Sequence, residues 1–142
     1  MKTHTEELGI INDLLTTLFP ICRSITGNGV RNTLHILNDY SKFDIKEISS
    51  GTECFDWTIP EEWNIDDAFI KNSSGEKIID FKKNNLHVVN YSIPINQEIN
   101  FTELKSHLHT LPNMPDAIPY RTTYYKKNWG FCLQYNEFKK LN

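Results

Sequence analysis

The hydrophobic period of this chain changes near residue 43, and a chain that switches from helical spacing to alternation cannot fold as a single repeating architecture. Between Thr5 and Phe19 the residues Leu8, Ile11, Leu15 and Leu18 recur at helical spacing, with Thr5 placed to cap and Glu6 and Glu7 in the first turn, until Pro20 stops the run. A second helix is predicted from Gly29 to Tyr40, where Val30, Leu34, Leu37 and Tyr40 make one apolar stripe. The connection from Cys22 to Gly29 is polar and glycine-bearing, and exposed amides are expected where the second helix begins.

From Phe43 the period becomes two. Phe43 and Ile45, then Phe55, Trp57 and Ile59, read as strands, and Phe69 with Lys77 to Phe81 reads as a hairpin around the turn from Asn72 to Gly75. Leu86 to Tyr91 is β-branched enough for another strand. A short helix carrying Leu104 and Leu108 is expected after Thr102, ending before Pro112. Pro112, Pro115 and Pro119 predict an extended loop from Leu111 to Pro119, followed by strands over Arg121 to Tyr125 and Gly130 to Gln134. The predicted class is α+β: two N-terminal helices, then a small β-rich unit of sandwich or barrel type with one short helix. The seam is expected near Ser49 to Gly51, giving segments 1–48 and 49–142.

The composition is that of a soluble globular chain, 39% hydrophobic and 23% charged, and 142 residues suit one ordinary domain. A net charge of -3 offers no surplus for nucleic acid or an anionic membrane, so neither is an expected partner. The start of the chain, with Glu6 and Glu7, lacks the basic and then apolar order of a secretion signal, so a cytoplasmic location is expected. Cys22, Cys54 and Cys132 are odd in number and widely spaced, which predicts reduced thiols and neither a disulfide framework nor a zinc finger.

Few residues point to catalysis. His107 and His109 are the one close histidine pair; on the predicted helix they diverge and face solvent, whereas on a strand they would share a face and be able to bind metal. His35 and His87 are expected to be structural. The pairs Glu61–Glu62 and Asp66–Asp67 are adjacent acids that point to opposite sides, as a solvated edge would have them. Arg23 beside Cys22 would lower the thiol pKa, but no nearby histidine serves as a base. No catalytic residue and no metal ligand is assigned. The stretch from Pro119 to Leu133 interleaves aromatics with Arg121, Lys126 and Lys127, a pattern equally suited to stacking on a ligand or to a strand pair with an aromatic inner face.

Four phrases form a recognisable set: LFPICRSITGNGV at 18–30, GTECFDWTIPEEWNI at 51–65, IDF at 79–81 with Leu86 and His87, and PYRTTYY at 119–125 running on to WGFCL at 129–133. Together they resemble the N-terminal portion of a bacterial and archaeal family of aminopeptidase-like proteins, long labelled a domain of unknown function and related to di-zinc aminopeptidases. The resemblance implies a zinc-peptidase α/β domain, with a small β-rich domain similar to the protease-associated domain inserted near its start. It makes the two helices a lead-in to the peptidase domain and residues from about Ile48 the insert. The His, Asp and Glu ligands of such a family would lie beyond Asn142, so zinc is expected in full-length members and none in this chain. The chain alone is then expected to be inactive and to need a C-terminal peptidase region or a partner chain. Arg121, Tyr124, Tyr125 and Trp129 are the candidate substrate-binding surface, chosen by chemical type. The alternative is a stand-alone module that binds a peptide or glycan through that strip. Helix faces left bare at the N-terminus would also permit a homodimer.

Overall fold

The computed structural model describes residues 4–141; Met1 to Thr3 and Asn142, the outer ends of the two expected segments, lie outside them. It divides into two compact units, Met1–Asn64 and Ile65–Asn142.

In the first unit, α1 (His4–Leu18) and α2 (Asn28–Tyr40) occupy the two stretches of helical period. Thr5 lies inside α1 rather than capping it. Helix α1 buries none of its residues, and Leu8, Ile11 and Leu15 are all exposed. Helix α2 buries Thr33 alone, whose hydroxyl donates to the Gly29 carbonyl at 2.9 Å. The strand expected at Phe43 and Ile45 does not form, and residues 42–49 are irregular. The alternation at Phe55, Trp57 and Ile59 folds back on itself as a hairpin, β1 (Glu53–Cys54) and β2 (Trp57–Thr58), with Glu53 opposite Thr58 and Cys54 opposite Trp57.

Residues 49–64, placed by sequence beyond the seam, belong to this unit because a polar clamp binds them to α2. Arg31 donates through Nε to Glu47 at 2.9 Å and through Nη1 to Glu62 Oε2 at 3.0 Å, while Nη2 pairs with Glu62 Oε1. The amides at the start of α2 are not all open: Asn64 Oδ1 accepts from the Asn28 N–H at 2.8 Å. Gly27 precedes the helix at φ 91 and lies against the Trp63 carbonyl, so a side chain there would meet both a left-handed backbone and a neighbouring chain segment.

In the second unit the expected hairpin forms as β3 (Phe69–Lys71) and β4 (Lys77–Asp80), antiparallel, with Ile70 opposite Ile79. The Asn72 side chain holds its turn by accepting from Ser74 Oγ and from the Glu76 amide. The strand expected over Leu86 to Tyr91 begins instead as a single 3-10 turn (Asn85–His87), capped by the Asn84 side chain. The run then continues as a bridged segment that ends at Tyr91, φ 65.

The short helix α3 (Phe101–Leu104) begins at the Asn100 cap, Oδ1 to the Glu103 amide at 2.9 Å, and runs into a 3-10 turn (Lys105–His107). Leu108, assigned by spacing to the helix, starts β5 (Leu108–His109). The proline-rich segment is a loop as expected. It is pinned to an unforeseen helix α4 (Tyr135–Phe138) by Asn136, which bonds Asp116 Oδ1 at 2.7 Å and the Pro115 carbonyl at 3.1 Å. Of the two final strands, β6 (Phe131–Cys132) forms and pairs parallel with β5, and residues 121–125 contribute only the bridge of Thr122 to Asn90.

The core lies on a ladder in which residues 88–93 run between 121–123 and 128–131. Val89 N bonds the Gly130 carbonyl at 3.0 Å and Ile93 N the Asn128 carbonyl at 2.9 Å on one side. Asn90 exchanges bonds with Arg121 and Thr123, each 2.9 Å, on the other. Ile79, Val88, Val89, Phe131, Cys132 and Leu133 are its buried apolar side chains. Fully covering a residue such as Leu133, 1% exposed, contributes about 1.5–3 kcal/mol relative to leaving it in water. The α+β order of the chain thus holds, with strands gathered as two-stranded pieces among the described residues.

Candidate functional site

The ladder sets where each residue of the aromatic strip points. On the 121–125 side, Tyr124 meets Tyr91 edge-on at 4.9 Å between centroids and Tyr125 edge-on at 4.7 Å. Edge-to-face contacts at these distances are favourable because ring edges are positive and faces negative. The Tyr124 hydroxyl is covered, with no hydrogen-bond partner among the described residues, and burial raises its pKa. Tyr125 stands 89% exposed beside it. Thr123 fixes the bend that presents both rings by donating to the Lys126 carbonyl at 2.6 Å. Tyr120, 64% exposed, accepts from Asn90 Nδ2 at 3.1 Å.

On the 128–131 side Trp129 is half-buried. It lies flat on His107 at 3.7 Å with 7° between the rings, and its carbonyl accepts from His107 Nδ1 at 2.9 Å. Gly130 is required behind it: a Cβ there would stand 3.0 Å from the His107 carbonyl and 3.1 Å from His109 Nε2. The structure therefore joins Tyr124 and Tyr125 to Tyr91, and sets Trp129 in a separate stack. Arg121 is exposed, and its charge acts on His109 and on Cys132.

The histidine pair departs from expectation. His107 ends a 3-10 turn and His109 lies on β5, and both are half-buried instead of diverging into solvent. Burial first, then the charges of Arg121 and His107, hold the His109 pKa below its usual 6.5. His87, as expected, has a structural bond: its Nδ1 donates to the Cys132 carbonyl at 2.8 Å. Among the described residues no group of three or more His, Cys, Asp or Glu is placed to hold a metal ion.

Two of the thiols, Cys22 and Cys132, are unlike nucleophiles. Burial raises Cys22, against the lowering expected from Arg23, whose guanidinium instead donates to the Leu18 carbonyl at 3.0 Å and to Thr33 Oγ1 at 3.3 Å. Burial also pushes Cys132 up to about 11. The acid pairs divide among structural contacts: Glu62 pairs with Arg31, which lowers its pKa, and Asp67 with Lys82 at 3.3 Å. Sequence reasoning missed Tyr91 and, although it singled out His107 as half of a histidine pair, the stack of His107 on Trp129. Nothing in a β-branched run marks its last tyrosine as a left-handed corner, and the His107 stack joins residues 22 positions apart.

The described residues form an α+β segment whose ladder presents Tyr125 to solvent beside the half-buried Tyr124. Residues 62–142 match the model of a domain of unknown function, DUF2172, and the chain belongs to that family. It is 54% identical over 141 residues, 99% of its length, to a Clostridium acetobutylicum protein provisionally named a polysaccharide biosynthesis protein with an aminopeptidase-like domain. It also superposes, at TM-score 0.92 and 55% identity over 96% of its length, on a crystal structure from Clostridium acetobutylicum provisionally titled a peptidase. In both cases it spans 32% of the other chain, and so corresponds to one segment of a larger peptidase-like protein. No helix among the described residues is long and apolar enough to cross a membrane.

Proposed function

We propose that this chain is the N-terminal segment of a zinc aminopeptidase-like hydrolase, in which its β-rich part, centred on the unit Ile65–Asn142, forms a protease-associated-like insert that shapes substrate access to a metal centre supplied by the rest of the protein. The observation that carries this reading is the 54% identity along 99% of the chain to a protein with an aminopeptidase-like domain, of which the chain spans 32%. Rigid scaffolds commonly present binding residues on loops, and the ladder presents Tyr125 and Arg121 in that way. A metal centre in such an enzyme would supply a Lewis acid for the scissile carbonyl and a more acidic bound water. This chain's part is to orient an aminoacyl or peptide substrate by ring stacking and by the Arg121 charge.

The test is a hybrid of the Clostridium acetobutylicum relative carrying this chain in place of its aligned third, assayed on aminoacyl substrates. Turnover abolished by a chelator is expected, with Tyr125→Ala and Arg121→Ala raising KM several-fold at nearly constant kcat. The 142-residue chain alone is expected to show no turnover. Failure of the hybrid to hydrolyse any aminoacyl substrate would sink this reading.

One observation favours a second reading. The exposed Tyr125 face, backed by Tyr124 and Tyr91, suits the apolar face of a sugar ring, and the relative's name refers to polysaccharide biosynthesis. On that reading the unit is a stand-alone glycan-binding module. Tyr125-dependent oligosaccharide binding by the 142-residue chain, without hydrolysis by the hybrid, would support it.

A further inference from the structure

We infer that one face of the ladder, where Arg121 and His109 stand beside Val89, Gly130 and Cys132, binds a carboxylate group of the substrate. The inference deepens the reading of Arg121 as a substrate contact and rests on it, adding His109 as a second contact and a carboxylate as the group both recognise.

The register of the ladder brings these residues together. Val88 is bridged to Phe131 and Phe131 to Leu108, while Asn90 is bridged to Thr122. Bridged residues share a face and their neighbours in sequence take the opposite one. Val89, Gly130, Cys132, His109 and Arg121 therefore share the other face, although they come from four separate stretches of chain. The glycine confirms it: a Cβ built on Gly130 would stand 3.1 Å from both Val89 Cγ2 and His109 Nε2. Arg121 lies close enough for its charge to act on both His109 and Cys132.

Nothing in the chain answers these groups. Among the described residues, the Arg121 guanidinium and the His109 ring have neither a hydrogen-bond partner nor an ion pair. The Tyr124 hydroxyl is the one fully covered polar side-chain atom without a partner among those residues, so the ring nitrogens of half-buried His109 remain open to solvent. Burial, then the positive charges of Arg121 and His107, disfavours the imidazolium while the face is empty. An anion seated between Arg121 and His109 reverses the last two effects and gains a charge-assisted bond from each.

The donors also select among anions. An arginine fork and one imidazole N–H match the two oxygens of a planar carboxylate. A phosphate would need further donors, and this face supplies none: Val89 and Gly130 have no side-chain donor, and the Cys132 thiol is fully buried. The carboxylate has two chemical sources, an acidic side chain on a peptide or a uronic acid on a glycan. Both present the same group to Arg121 and His109.

Nuclear magnetic resonance on the 142-residue chain tests this with two matched pairs: N-acetyl-aspartate amide against N-acetyl-asparagine amide, and methyl glucuronide against methyl glucoside. The acidic member of at least one pair should shift the His109 ring protons saturably while its neutral partner does not, and the pair that responds identifies the source. Arg121→Ala should weaken that binding about tenfold or more, since hydrogen bonds to charged groups carry about 1.5–3 kcal/mol. Arg121→Lys, which keeps the charge and loses the fork, should restore only part of it. Equal binding of acidic and neutral members, an unmoved His109, full affinity in Arg121→Ala, or tighter binding of inorganic phosphate than of either acid would each overturn the inference. The hybrid separates it from the hydrolase reading. Carboxylate binding at His109 with no turnover by the hybrid would remove only the hydrolase. Turnover of glutamyl and glutaminyl substrates at equal kcat/KM, with no carboxylate bound at His109, would remove only the carboxylate site.

Discussion

In residues 65–141 the large apolar side chains Val88, Val89, Phe131 and Leu133 are buried on one ladder, whereas in residues 4–64 helix α1 buries nothing and Phe55 stands wholly in solvent. What orders the first unit is polar: the Arg31 fork on Glu47 and Glu62, the Asn64 cap, and a close glycine corner at Gly27. Such a clamp fixes geometry, but exposed ion pairs add little stability and weaken with salt. A hydrophobic core does the reverse, supplying stability with less directional control. The difference teaches that the second unit has what it needs to hold itself together, while the first is a positioned surface.

The cysteines give the widest contrast. Cys54 is exposed on the hairpin and Cys132 is fully buried with its pKa pushed up to about 11, so alkylation at neutral pH should modify Cys54 on the order of a hundredfold faster or more. Comparable rates, read by mass spectrometry of the digested protein, would mean that the ladder opens freely and that the two units are equally loose. Next in size is Leu133→Ala, which should cost about 2–5 kcal/mol in chemical denaturation because the side chain is 1% exposed and leaves a cavity. A loss under 1 kcal/mol would erase the distinction between the units.

A smaller effect is pH dependence at His109. Its folded pKa lies below 6.5, so the unfolded chain takes up the proton more readily. The stability this residue contributes is complete above pH 6.5 and is lost as the pH falls through the lower folded value. The urea midpoint of the second unit should therefore drop on acidification below 6.5, and His109→Gln should flatten that slope; an unchanged slope would remove His109 from the core's account. The smallest effect expected is Leu15→Lys, within about 0.5 kcal/mol in the 142-residue chain, because the residue is already solvated. A large loss of helix signal in circular dichroism would instead show that α1 has a covered face.

Legibility from sequence followed the range of the interactions involved. Helices α1 and α2 were readable because their stripes lie within 15 and 13 residues, and the β3–β4 hairpin because the turn from Asn72 to Gly75 carries its own side-chain bonds. The Phe55–Trp57–Ile59 alternation was read as one strand, yet it reverses at Phe55; alternation fixes side-chain faces without revealing where the backbone turns. The aromatic strip was visible as composition, but whether a ring meets solvent depended on partners far along the chain. His107 claims Trp129 across 22 positions, and Tyr91 backs Tyr124 across the ladder.

By itself the sequence determined the α+β order, the two helices, one hairpin and the proline-rich loop, all consequences of local period and of backbone limits at proline and glycine. Tertiary structure alone decided that residues 49–64 join the helices and that β5 and β6 run parallel. It also decided that Tyr125 faces water while Trp129 stacks inside, and that Phe55 is held at a strained tip. These depend on hydrogen bonds and ring contacts between residues distant in sequence, whose pairing no local pattern encodes.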